Sequence, residues 1–211
     1  MTTSDLVAIV DDDEALRESL SMVLGSVGLD VLGFHTSTDF LCHLEQIKCS
    51  CLLLDMRMPG MSGVELQRRL GELNAQMPIV FMSGHGDIET AVKVMKQGAV
   101  DFLRKPFSRQ LLIDTVQGVI EAWKKELKAR DRHEHLRRRV QCLSPREQEV
   151  FAGLGAGRSA KVVAHELGIA LKTVEEHRSH IFAKLDIHSS SELIAEATEL
   201  RLLDQTRSTA A

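Results

Sequence analysis

The chain has 211 residues, enough for one or two domains, and 44% of them are apolar. Only 4% are aromatic and none is tyrosine, so Leu, Val, Ile, Met and Ala must fill the cores. The net charge is −4 and no apolar run approaches the roughly 18 residues of a membrane span, so nothing points to a membrane protein and charge alone does not mark a nucleic-acid binder.

The charge is unevenly spread. Residues 1–105 carry about 15 acids and 9 Lys/Arg, and the remainder about 15 and 17, which suggests two halves with separate tasks. The start, MTTSDLVAIV, has neither a basic region nor a long apolar stretch, so no signal peptide is expected. Cys42, Cys49, Cys51 and Cys142 form no disulfide framework and no paired CxxC set. Cys42-His43 with Cys49 and Cys51 could hold zinc, but Cys51 opens the apolar run CLLLD, and the cysteines read as packing or surface residues. A reducing, cytoplasmic setting fits this usage.

In chain order, Leu6 to Val10 reads as a strand and Glu14 to Val27 as a helix with Leu16, Leu20, Val23 and Leu24 on one face, stopped by Gly28. Val31 to Phe34 is a second strand and Thr38 to Leu44 a helix. Cys51 to Asp55 is a third strand, apolar enough to be buried on both faces. Ser62 to Leu73 is a helix whose Ser62 and Glu65 spell a capping box. Ile79 to Ser83 is a fourth strand, Asp87 to Gln97 a helix ended by Gly98, and Asp101 to Arg104 a fifth strand. Five such units predict a doubly wound, five-stranded parallel sheet of flavodoxin-like α/β class.

From Ser108 the pattern is helical. Leu111, Leu112, Thr115, Val119 and Ile120 form an inward stripe that Trp123 and Leu127 extend. Residues 124–139 are dense in charge and free of Pro and Gly, so a helical linker is expected rather than a disordered tether. A new unit starts at Leu143-Ser144-Pro145-Arg146-Glu147, where Ser144 caps, Pro145 suits the first helical position and Glu147 completes a capping box. Helices follow at 145–154, 160–167, 172–185 and 190–200, punctuated by Gly155, Gly157 and Gly168, with a frayed tail QTRSTAA. The expected domains are 1–121, a helical linker at 122–141, and a smaller all-α four-helix unit at 142–211.

Asp11 and Asp12 follow the first strand, Asp55 ends the third, Ser83 the fourth, and Lys105 follows the fifth. In a parallel sheet those ends face one edge, where ligands bind. Converging carboxylates repel and require a cation, and oxygen-only ligation suits Mg²⁺. Asp55 could then attack a phosphoryl group to give an acyl phosphate, with the metal and Lys105 neutralising the transferring oxygens and the Ser83 hydroxyl donating to the product. Taken singly, Asp13 explains itself as a helix cap, and an Asp ending a strand or a surface Lys-Pro is commonplace. Their joint placement is what points to chemistry.

IVDDD at 9–13, LLLDMRMPGMSGVEL at 52–66, VFMSGHGD at 80–87 and GAVDFLRKPF at 98–107 resemble the receiver domains of two-component response regulators, and GHGDIETAVKVMKQGAVDF resembles the NarL/FixJ type in particular. The resemblance implies phosphotransfer to Asp55 from a sensor histidine kinase. It implies Mg²⁺ held by Asp12, Asp55 and the Arg57 carbonyl, with Asp11 acting partly through water. It also implies a cis peptide before Pro106 and a switch pair of Ser83 and Phe102, although Phe102 equally fits plain core. Arg57 and His85 flank the site.

LSPREQEVFAGLGAGRSAKVVAHELGIALKTVEEHRSHIFAKLDIHSSSEL resembles a LuxR-type helix-turn-helix, with 172–185 as recognition helix. Lys161, Lys172, Thr173, Arg178 and Lys184 would meet phosphates, and Glu175, Glu176 and Ser179 would approach base edges. Val174, Ile181 and Leu185 read as core. His177 and His180 fit a solvated or capping role as well as a DNA contact. Ala170 stands where the family has a Ser cap and Ala160 where it has Asn. The Glu pair is unusual in a groove: either it selects a base or one member faces away. The family further implies promoter DNA, RNA polymerase and a homodimer formed on phosphorylation through about 87–104, with a closed monomer as the other off state. An aspartyl-phosphate phosphatase is opposed by Arg57, since such enzymes place an acid there. A receiver whose helical unit binds protein or RNA is the third reading.

Overall fold

The computed structural model describes residues 5–84 and 88–209, with side chains of 88–91 and 202–209 not described. The chain divides into Met1–Glu126 and Leu127–Ala211.

The first unit alternates strand and helix: β1 (Leu6–Val10), α1 (Glu14–Gly25), β2 (Asp30–Phe34), α2 (Ser37–His43), a 3-10 turn at Leu44–Gln46, β3 (Cys51–Asp55), α3 (Gly63–Glu72), β4 (Ile79–Ser83), α4 (Ile88–Lys96) and β5 (Asp101–Arg104). All pairings are parallel and the order is β2-β1-β3-β4-β5. Successive strand residues point to opposite faces, and the two cores record this. Val7, Ile9, Cys51, Leu53, Val80 and Met82 pack with Leu20 and Leu24 of α1 and with Leu112 and Val116 of the helix after β5. Ala8, Val10, Leu52, Leu54 and Phe81 pack with Phe40, Leu66, Leu70 and Val94 on the other side. Burial on both faces is why these strands are apolar without alternation.

The strand order reverses direction between β1 and β3, so loops leaving their C-terminal ends diverge and open a crevice there. Asp13 caps α1, its side chain accepting from the Leu16 amide at 3.1 Å. Ser62 caps α3 by accepting from the Glu65 amide, but Glu65 returns no bond, so only half of the expected capping box forms. Gly63 is held against the Asp55 carbonyl. A Cβ there would lie 2.1 Å from that oxygen, which only glycine tolerates.

α5 runs unbroken over Arg109–Gln141. Its inward stripe is Leu112, Val116, Val119 and Ile120, whereas Leu111 is exposed, so the stripe lies one position from the sequence expectation at its start. Leu127 is exposed as well. The charged segment is not wholly solvated: Leu136 is buried, and Arg132 and Arg139 pair with Glu199 and Glu196.

The second unit adds α6 (Pro145–Gly155), α7 (Ala160–Leu167), α8 (Leu171–Leu185) and α9 (Ser190–Thr209). Leu143, Val150, Phe151, Val163, Val174, Ile181, Leu185, Leu193 and Ala197 form its core. Here the capping box is complete between Ser144 and Glu147. Gly168 ends α7 in the left-handed conformation, φ 64°, and its amide satisfies α7 carbonyls. α9 continues to Thr209 where a frayed tail was expected; no Pro or Gly interrupts 190–209. No helix among the described residues is long and apolar enough to cross a membrane.

Candidate functional site

Asp11 lies just past β1, Asp55 ends β3, Ser83 ends β4 and Lys105 follows β5, and the sheet brings all four to one edge. The Lys105 ammonium bridges the two carboxylates, donating to Asp11 Oδ2 at 2.7 Å and also to Asp55 Oδ1. Both acids are buried: Asp11 is 1% exposed and Asp55 6%. Their remaining oxygens accept backbone amides, Asp11 Oδ1 from Asp13 at 3.0 Å and Asp55 Oδ2 from Arg57 at 2.8 Å. Burial raises the Asp55 carboxyl above its ordinary value, against the opposing pull of the Lys105 hydrogen bond and charge, and the Asp11 charge adds to the rise. Burial disfavours the Lys105 charge too, but the hydrogen bonds it donates to Asp11 and Asp55 outweigh that, and the amine is held above its usual value.

Lys105 is placed by its backbone. Its amide donates to the Ser83 carbonyl at 2.6 Å, continuing the β4–β5 ladder, and the Lys105–Pro106 peptide is cis, as the resemblance implied. Ser83 is buried, its hydroxyl resting on the Gly84 carbonyl at 3.4 Å, a weak bond. Phe102 is half-buried against the core that contains Leu54 and Phe81. Asp12 is half-buried beside Asp11, and the Arg57 side chain is exposed. His85 lies outside the described residues, as does Asp87 in the 87–104 surface.

A metal fits by donor chemistry. Asp11 and Asp55 already converge on one cationic group, and their carboxylates offer hard oxygens, which suit Mg²⁺ rather than a softer ion. Among the described residues, however, Asp11, Asp12 and Asp55 are not gathered tightly enough to form a three-acid cluster, and the ammonium stands between two of them. Sequence reasoning missed Arg17, whose guanidinium donates to the Asp11 carbonyl at 2.7 Å and fixes the loop after β1. It also missed why glycine follows Ser62. Neither residue carries a spacing signal, because each acts on backbone.

Among the described residues no cysteine belongs to a cluster of three or more His, Cys, Asp or Glu side chains close enough to hold a metal. Cys42 and Cys142 are exposed, Cys49 and Cys51 buried, and Cys49 Sγ contacts Met77 Sδ at 3.5 Å.

In the second unit Lys172, Glu175, Glu176 and Ser179 are exposed at i, i+3, i+4 and i+7 of α8, so they share one stripe opposite the buried Val174, Ile181 and Leu185. Both glutamates face outward; neither turns into the core. Lys161 is exposed near the start of α7 and Thr173 is half-buried. The Arg178 guanidinium lies 5.9 Å from the Phe182 ring centre, and the Ser179 hydroxyl bonds back to the Glu175 carbonyl at 3.0 Å. Lys184 is exposed, and its ammonium lies 2.7 Å from Glu147 Oε2 and ties α8 to α6. Ala170 caps α8 with no side-chain bond.

Residues 7–117 match the response regulator receiver domain family, and residues 141–197 match the luxR family of bacterial regulatory proteins. The chain is 38% identical over 204 residues to the transcriptional regulatory protein FixJ of Bradyrhizobium diazoefficiens, covering 97% of this chain and 100% of that one. Among solved structures it resembles the response regulator StyR, with 39% identity, a TM-score of 0.79 and coverage of 93% and 100%. Full-length FixJ from B. japonicum gives 38% identity, a TM-score of 0.61 and coverage of 95% and 99%.

Proposed function

The chain belongs to the response regulators of the NarL/FixJ type, a receiver domain followed by a LuxR-type DNA-binding domain, and on that footing we propose that Asp55 is the phosphoacceptor that gates promoter binding. The observation that carries this is the single ammonium of Lys105 spanning Asp11 and Asp55 at the sheet edge.

An Asp55 oxygen attacks the phosphorus of a sensor kinase phosphohistidine. The O–P bond forms as the P–N bond breaks, and the departing imidazole takes up a proton. Asp11, Asp12, Asp55 and the Arg57 carbonyl would hold Mg²⁺, which supplies charge neutralisation for the phosphoryl oxygens. Lys105 gives the second positive charge, released from Asp55 toward the new phosphoryl group. The buried Ser83 hydroxyl, held only by its weak bond to Gly84, is free to turn and donate to the phosphoryl oxygen. Phe102 moves further into the space that the hydroxyl leaves.

The domains are read as a receiver over 1–121, a helical linker over 122–141 and a DNA-binding unit over 142–211. On the DNA, Lys161, Lys172, Thr173 and Arg178 position the protein on phosphates, and Glu175, Glu176 and Ser179 meet base edges, where a carboxylate accepts from cytosine N4. Lys184 contributes by fixing α8, and reaches phosphate only if it leaves Glu147. One helix reads few base pairs, so phosphorylation acts by pairing two chains through the 87–104 surface on paired half-sites. RNA polymerase is the downstream partner.

The test is acetyl phosphate or phosphoramidate with Mg²⁺, followed by promoter footprinting. Acid-labile phosphate on Asp55 and tighter, salt-sensitive binding are expected, both lost in Asp55→Ala. Tight promoter binding unchanged by phosphodonor would overturn the gating.

A further inference from the structure

Glu147 does more than complete a helix cap. Its carboxylate is 4% exposed, and one oxygen, Oε2, accepts from the Ser144 amide at 2.7 Å and from Lys184 Nζ at 2.7 Å. The other oxygen, Oε1, faces α8 and lies 4.0 Å from His180 Nδ1. His177 and His180 are one turn apart on α8, so their rings share a face. One donor atom of each histidine and one Glu147 oxygen all lie within 4.8 Å of one another. Among the described residues no other group of three His, Cys, Asp or Glu side chains comes this close.

We propose that Glu147, His177 and His180 form a binding site for a divalent transition metal of the zinc class, joining α6 to the recognition helix. Two imidazoles and a carboxylate make a mixed nitrogen and oxygen donor set, which prefers Zn²⁺ or Co²⁺ to Mg²⁺. Bound at about 2.0–2.1 Å, donors around a tetrahedral ion sit roughly 3.4 Å apart, so the three atoms must close by about 1 Å. His180 can supply that movement because its side chain is 67% exposed. Glu147 is already oriented: the Ser144 amide and Lys184 hold Oε2 in the way that outer partners orient a metal-bound carboxylate. Lys184 keeps Oε2, and the metal takes Oε1. Three protein ligands leave a fourth position for water. The site sits on the same helix as the Lys172–Ser179 stripe, and an added double charge there strengthens attraction for phosphate. That last consequence rests on the DNA-binding reading; the site itself does not.

The experiment uses the full chain stripped with a chelator and titrated with Co²⁺ in a large excess of Mg²⁺, which saturates the oxygen site around Asp55. One Co²⁺ per chain is expected, with the intense visible absorption of a low-symmetry, imidazole-ligated ion, displaced by Zn²⁺. In His180→Asn and in His177→Asn the affinity should fall by more than about tenfold, the loss that even outer partners of a metal cause. The exposed His188→Asn should bind as the parent does. Circular dichroism checks the fold, and His180→Asn decides the matter if His177→Asn unfolds. No Co²⁺ bound under Mg²⁺, or Co²⁺ bound equally by both variants, overturns the proposal. So does Co²⁺ bound by the parent but lost in Asp55→Asn, which would place the ion in the receiver. A failure here leaves the phosphodonor footprint untouched, so the two readings fall separately.

Discussion

Lys105 Nζ stands 2.7 Å from Asp11 Oδ2, although 94 positions separate the two residues in the chain. Nothing local joins them. The parallel sheet does, by turning every strand's C-terminal end to one edge, and the same ammonium then reaches Asp55.

Asp55→Asn should abolish acid-labile phosphate without lowering the melting temperature. Burial opposes the ionised carboxylate more strongly than its partners favour it, and Lys105 keeps Asp11 as a partner, so removing the charge costs the fold little. Intact-mass measurement after phosphodonor treatment and a thermal melt check both parts. A drop in Tm of more than a few degrees would mean that the Lys105 pair outweighs the burial.

Gly63→Ala should destabilise the receiver by about 1–3 kcal/mol, the usual range for forcing a methyl group into packed space. The new Cβ would meet the Asp55 carbonyl oxygen at 2.1 Å, so either α3 or the phosphoacceptor loop must shift. Phosphate uptake should slow in parallel. Urea unfolding and phosphorylation kinetics on the same variant separate the two effects. Gly71→Ala, which meets nothing, is the matched control.

Ala170→Ser should stabilise the DNA-binding unit by about 0.5–1 kcal/mol, the ordinary worth of a serine cap. The backbone at Ala170, φ −67° and ψ 146°, is already the extended geometry of a cap, and no side chain now fulfils that role. A rise in the melting temperature of this unit checks it. No rise would show that water already serves the free amides of α8.

Of the four thiols, Cys42 and Cys142 should react quickly with a disulfide reagent at neutral pH, and Cys49 and Cys51 only on unfolding. Burial pushes the Cys49 thiol up to about 11 and Cys51 higher still, so neither offers thiolate at neutral pH. Thiol counting with and without denaturant reads this directly; fast reaction of all four would contradict the burial of β3.

Glu196→Gln should melt at or above the parent at neutral pH. Burial raises the Glu196 carboxyl above its ordinary 4.5 despite the Arg139 charge, with Glu199 and Glu192 adding to the rise, and Oε2 has no hydrogen-bond partner. The folded state therefore holds this proton more tightly than the unfolded chain. The stability that proton gives is fully present below 4.5 and is lost as pH rises through the folded value. The advantage of the variant should appear at neutral pH and vanish in acid. Melting both proteins across that range checks the sign, and a variant less stable at neutral pH would show that the Arg139 pair dominates.

Much was legible in the residue order. Apolar runs of strand length, separated by helical periods, marked the five units and their doubly wound class, most clearly at β1, β3 and β4, because a strand buried on both faces must be apolar throughout. Val174, Ile181 and Leu185 were legible as core by helical spacing alone, and each is fully buried. Ser144 and Glu147 announced their cap because a capping box is a local bond pattern between residues three apart. Glu65 shows the limit of that signal: the same spelling after Ser62 forms only half of it.

Residue order determined which chemistry this protein carries: acids, a hydroxyl and an amine at strand ends, and a basic helical pair behind a capping box. Tertiary structure alone decided who meets whom. Arg17 holds the Asp11 carbonyl, the exposed Lys184 pairs with the buried Glu147, and His177 and His180 come beside that same carboxylate. Patterns along the chain report faces and ends, since those follow from the period of the backbone. They do not report the distance between side chains on different elements, which is fixed only when the cores close and the helices take their final rotation.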